Sequence, residues 1–115
     1  MNRFYLAVPY RGREEESFEA VTQAAAKLVR MGHAVYSPIT HSHPICKVDP
    51  DLPGHFDFWE EMDYSIISLW ATEVMVLCLP GWEDSVGVRK EVEYARALGK
   101  NVTFIDPKCG WCGKP

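Results

Sequence analysis

EVMVLCLPGWEDSVGVRKEVEYARALGKNVTFID, residues 73–106, decides the fold. Its first eight residues form a nearly unbroken apolar run, the pattern of a strand covered on both faces of a sheet. SVGVRKEVEYARAL (85–98) switches to helical spacing, with Val88, Val92, Ala95 and Leu98 on one stripe and Gly99 as the stop. KNVTFID (100–106) is a strand again. A strand, a helix and a strand within about thirty residues make a parallel crossover unit.

Working outward, the same alternation holds. RFYLAV (3–8) reads as a buried first strand, ended by Pro9 with Gly12 soon after. Residues 14–31 place Phe18, Val21, Ala25, Leu28 and Val29 at helical spacing, with acids in the first turn, Lys27 and Arg30 near the end and Gly32 as the stop. HAVYSP is a second strand ended by Pro38. Residues 38–55 carry four of the eight prolines and read as a long functional or mobile loop. Helical spacing resumes over 56–71 through Phe58, Met62, Ile66 and Leu69 or Trp70. This order specifies an α/β domain over residues 1–107: a three-layer, flavodoxin-like or Rossmann-like parallel sheet of four or five strands with helices on both faces. Residues 108–115 form a loose tail in this reading.

At 115 residues the chain suits one domain with one hydrophobic core. The formal net charge of −4 argues against a duplex nucleic-acid partner, which wants a basic face. No apolar run reaches the roughly 18 residues that span a bilayer, and MNRFYLAVPYRGREEE turns charged too soon for a signal peptide. The expectation is a cytoplasmic protein without a membrane partner. Of the four cysteines, Cys78 belongs to the core run. His41, His43 and Cys46 in HSHPIC, with Cys109 and Cys112 in CGWC, have metal-ligand chemistry but lack the second paired motif of a zinc site. A zinc-stabilised interaction domain stands as an outside reading; no metal is assigned.

In open α/β sheets ligands bind beyond the carboxyl ends of the strands. That directs attention to PYRGR after the first strand, with Pro9 and Arg11, to SPITHSHP after the second, and to PGWEDSVG after the third. In the third loop Asp84 or Ser85 can cap the following helix, and Gly87 lets its first turn approach a ligand. Free amides and the positive end of the helix dipole make such a start an anion site. Glu91, one turn before Ala95, falls on the border of the buried stripe, near the ligand end of the sheet. The competing reading continues a solvated face through Arg89, Lys90 and Glu93. Phe56, Phe58 and Trp59 suit a core as well as base stacking, whereas Trp82, in a loop, is the better stacking candidate. His41 and His43 sit where a loop could overhang the site.

Ser85, Gly87, Glu91 and ALGK at 97–100 have the spacing of the nucleoside 2-deoxyribosyltransferase superfamily, and YLAVPYRGR resembles its N-terminal segment, with Tyr5 and Arg11 at matching positions. The text is most similar to a bacterial and phage branch carrying SPI-HSHP and LPGW-S-GV-E motifs, over most of residues 3–105. The resemblance implies N-glycosidic bond cleavage or transfer on a nucleotide or related N-glycoside, with Glu91 as nucleophile, Tyr5 orienting it, and Asp63 (Asp57 in reserve) exchanging a proton with the leaving base. It implies a 5'-phosphate beside Ser85, helped by Arg11 and Arg13, no cofactor, and a homo-oligomer. Val8, where the family usually has glycine, and Glu93 depart from the pattern. The alternative is a non-catalytic nucleotide or nucleotide-sugar sensing module.

Overall fold

The computed structural model describes residues 2–107. Four parallel strands, β1 (Arg3–Ala7), β2 (Ala34–Tyr36), β3 (Glu73–Leu77) and β4 (Asn101–Ile105), form one sheet in the order β2-β1-β3-β4. The chain moves outward from β1 to β2 through helix α1 (Glu14–Arg30). It then crosses back over β1 through α2 (Pro38–Val48) and α3 (Phe56–Leu69) to β3, and reaches β4 through α4 (Val86–Ala97). The order reverses between β1 and β3, the strands at the centre of the sheet.

Successive residues of a strand face opposite sides, so each central strand feeds two cores. On one side Tyr5, Ala7, Val74 and Val76 pack with Ile67 of α3 and with Val88, Val92 and Ala95 of α4. On the other, Leu6, Val8 and Leu77 pack with Val21, Ala24 and Leu28 of α1, and Ile39 of α2 joins them. Helices therefore cover both faces, in the three-layer α/β architecture expected, and the strand count is four. Among the described residues no helix is long and apolar enough to cross a membrane.

The stretch expected to be a long loop contains a helix instead. Ser37 Oγ accepts from the amides of Ile39 and Thr40 at 3.2 and 3.3 Å, and Pro38 occupies the first helical position, where its missing N–H costs nothing. Pro44 inside α2 does not stop it. Two helix faces are also rotated from expectation. α1 buries Ser17, Val21, Ala24 and Leu28, leaving Val29 58% exposed. α3 buries Asp63 and Ile67, while Phe58, Met62 and Leu69 are 50%, 43% and 85% exposed. A carboxyl on the buried face of α3 breaks the apolar periodicity by which that face is recognised.

The end of α3 is tied to the β4 side of the sheet by Lys100. Its ammonium donates to the carbonyls of Ile67, Ser68 and Ala71 at 2.6, 3.0 and 2.7 Å, satisfying groups that a helix end leaves without partners.

Candidate active site

The apolar stripe of α4 pins that helix on the sheet, and the residue before Val92 is carried inward with it. Glu91 is only 4% exposed. A buried carboxyl needs a donor. Tyr5, fully buried on the central strand β1, supplies it: its hydroxyl donates to Glu91 Oε2 across the α4 face of the sheet. Asp63, 5% exposed on α3, faces the same region. Burial pushes the Asp63 carboxyl up to about 7. Burial also raises Glu91, to about 8, against the pull of the Tyr5 hydroxyl and with the nearby charge of Asp63 adding to the rise. Both carboxyls are therefore biased toward their protonated forms near neutral pH. The same burial and the Glu91 charge keep the Tyr5 phenol protonated, its value raised well above the ordinary one.

Above these groups opens a cleft of about 680 Å³, within the usual range for small-molecule sites. Its walls come from the carboxyl ends of β1, β2 and β3, at the point where strand order reverses. The β1 loop contributes Val8, Pro9, Tyr10, Arg11 and Arg13; α2 contributes Ile39, Ser42 and Cys46. The opposite walls are Phe56, Asp57, Trp59 and Asp63 of α3, and Ser85 to Val88 with Glu91 of α4. Ser85 is the cap of α4, its Oγ accepting from the Val88 amide at 3.2 Å, which leaves the hydroxyl proton for another acceptor.

The structure thus brings Glu91, Asp63, Ser85, Gly87, Pro9 and Arg11 to one cleft, with Tyr5 behind Glu91. Asp57 is at the rim, 3.5 Å from Lys90 Nζ. Two expectations change. Trp82 is not on the cleft wall; it packs on Phe104, ring centroids 5.2 Å apart. His43 does not line the cleft either, and turns instead to Tyr10. Gly87 does line it, and a Cβ built there would meet the Phe56 ring at 3.4 Å, an ordinary contact. Among the described residues no group of three His, Cys, Asp or Glu side chains could hold a metal ion, and Cys109 and Cys112 lie outside them. Tyr10 went unnoticed in the sequence; an aromatic three residues past the end of a switch-point strand was the available signal. Lys100 went unnoticed as a helix anchor because nothing in its own stretch indicates contact with residues 67–71.

A family model described as "Domain of unknown function (DUF1937)" matches residues 2–106. No curated protein matches the chain. Among solved structures, a 2-deoxyribosyltransferase from the psychrotolerant bacterium Bacillus psychrosaccharolyticus is similar over 91% of this chain and 72% of that one, at 26% identity and a TM-score of 0.66. The 2-deoxyribosyltransferase from Leishmania mexicana is similar over 92% of this chain, at 16% identity and a TM-score of 0.63. This chain spans 65% of that protein's chain, and the likeness there is one of fold.

Proposed function

The chain belongs to the DUF1937 family, and from that premise and the geometry of the cleft we propose that it cleaves or transfers the N-glycosidic bond of a nucleotide or related N-glycoside. The observation that carries this reading is the buried Glu91 carboxyl held by the Tyr5 hydroxyl at the cleft floor. The likeness to 2-deoxyribosyltransferases supports glycosyl transfer as the reaction class.

In this reading a Glu91 oxygen bonds to the anomeric carbon as the bond from that carbon to the base nitrogen breaks. Positive charge builds on the sugar in the transition state, and it favours the ionised form of the carboxylate beside it. In the reactive form Glu91 is ionised and Asp63 is protonated, and Asp63 passes its proton to the departing base. Asp57, at the exposed rim, is poorly placed for that transfer. The second half-reaction returns the sugar to another base, or to water, and frees Glu91. Tyr5 fixes the rotamer of Glu91 and stabilises its charge.

A 5'-phosphate fits the start of α4, where free amides, the dipole and the Ser85 hydroxyl converge, with Arg11 and Arg13 across the cleft. The chain acts as a homo-oligomer in this proposal, which the exposed Phe58, Met62 and Leu69 support; size-exclusion chromatography with light scattering tests it, and a monomer would count against it. A second reading, a binding module without turnover, draws on Val8, whose branched side chain occupies the cleft wall.

The test is incubation with 2'-deoxynucleoside 5'-monophosphates, with and without a second free base, followed by chromatography. Released or exchanged base that disappears in Glu91→Gln supports the proposal. Equal release by both proteins removes Glu91 from the mechanism, and tight binding without release favours the binding module.

A further inference from the structure

Tyr10 faces the cleft from the β1 loop, and its hydroxyl does not end there. It lies 2.5 Å from Nδ1 of His43, with the two rings edge to face at 86°. His43 is 5% exposed, and Phe18 of α1 stacks on its ring at 4.4 Å. On the far side of the imidazole, Nε2 is 3.2 Å from Glu15 Oε2, within ion-pair range, although it has no aligned hydrogen-bond partner. Glu15 is in turn bound by Lys47 Nζ at 2.7 Å, and that hydrogen bond holds its carboxyl below the usual range.

These contacts determine which way the protons point. A carboxylate that stays ionised favours hydrogen on the nearer imidazole nitrogen, so Nε2 carries the proton and Nδ1 keeps a lone pair. Tyr10 must then donate to Nδ1. Burial, with Cys46 and the acidic residues Glu14 and Glu15 nearby, pushes the Tyr10 phenol up to about 12, so it has that proton to give. A phenol has one O–H, and once it is used only oxygen lone pairs remain for the cleft.

We propose that His43 is a positioning residue that fixes Tyr10 as an acceptor-only group on the cleft wall, so that Tyr10 selects ligands presenting an exocyclic amino donor. Read with the nucleotide proposal above, on which the ligand class rests, the donor is an exocyclic amine at the base edge, as in cytosine or adenine, rather than a carbonyl. The relay runs through three elements: Tyr10 from the β1 loop, His43 and Lys47 from α2, and Glu15 with Phe18 from α1. Its proton order does not depend on whether Glu91 performs chemistry.

The test has two arms. In the first, nitrogen-15 NMR of labelled histidine reads the tautomer, with the His43 signals assigned by their loss in His43→Asn. Hydrogen on Nε2, and an Nδ1 shift that moves in Tyr10→Phe, is the expected result; hydrogen on Nδ1 overturns the proposal whatever the protein's activity. In the second, calorimetry compares 2'-deoxycytidine with 2'-deoxyuridine 5'-monophosphate, in which the exocyclic amine is replaced by a carbonyl and N3 gains a hydrogen. The intact chain binds the amine-bearing nucleotide on the order of 10-fold more tightly, since the wrong partner leaves two acceptors facing each other. Tyr10→Phe and His43→Phe bring that ratio close to one, while His43→Asn, which keeps an acceptor at the Nδ1 position, restores much of it. Equal binding by the intact chain, a ratio that survives Tyr10→Phe, or failure of the amine-bearing nucleotide to bind overturns the selectivity. Failure of base release alone sinks only the catalytic reading.

Discussion

Tyr5 and Tyr10 stand at the two ends of one short segment, and the cleft holds them in opposite ways. Tyr5 lies in the sheet and gives its proton to a buried carboxyl whose charge is disfavoured. Tyr10 lies on the wall and gives its proton to an imidazole backed by an exposed, lysine-bound carboxylate whose charge is favoured. The first arrangement holds an ionisable group against its preference, the condition for chemistry. The second holds a proton direction at little electrostatic cost, the condition for selectivity. The contrast shows that a phenol reports nothing about role until the group it donates to is known.

The largest effect that would break this contrast is loss of turnover. Glu91→Gln should lower base release by about 10³-fold or more while leaving the fold intact, as removal of a covalent nucleophile does; release assayed by chromatography, with circular dichroism as the fold control, decides it. Tyr5→Phe should lower kcat by roughly 10- to 100-fold. It should also move the acid limb of the pH profile upward, because the hydroxyl that depresses the Glu91 value is gone. An unmoved limb in kcat/KM against pH would detach Tyr5 from the carboxyl.

Stability sharpens the comparison from another side. A carboxyl raised to about 8 in the folded chain binds its proton more tightly there than in the unfolded chain, whose value is near 4.3. The stabilising contribution is complete below the unfolded value and drains away as pH rises toward the folded one. Glu91→Gln should therefore melt above the intact chain at pH 9, by about 5–10 °C for roughly 1–2 kcal/mol, with the gap closing toward pH 4. Lys100→Met, which removes three carbonyl contacts at the end of the helix carrying Asp63, should cost about 2 kcal/mol in urea unfolding. Glu15→Gln, at the exposed end of the outer relay, should leave the melting temperature nearly unchanged.

The sheet and three of its helices were legible because their signals are local: apolar runs for strands, 3.6-residue spacing for α1, α3 and α4, and glycine stops after α1 and α4. α2 was not legible because its prolines were weighed as breakers, when Pro38 behind the Ser37 cap was a start signal. The faces of α1 and α3 were misread for a different reason. Phe18 left the core to stack on His43, and Asp63 entered the core beside the cleft. Both displacements serve the site, and local hydrophobicity is silent about a site. Glu91 was legible as a residue on the edge of a buried stripe, but not its complete burial, which depends on Tyr5 and α3. Trp82 failed as a stacking candidate because a loop aromatic finds the nearest apolar surface, here Phe104.

The bond from Tyr5 to Glu91 joins groups 86 positions apart in sequence. A closure of that span carries a loop-entropy cost that the sheet pairings between the two residues help to offset. A nascent chain emerging from the ribosome holds Tyr5 long before Glu91 exists, so a product that ends before residue 91 lacks the carboxyl on which the proposed chemistry rests. Under the proposed reaction, the working carboxyl is therefore a property of the assembled fold and not of the segment that carries it.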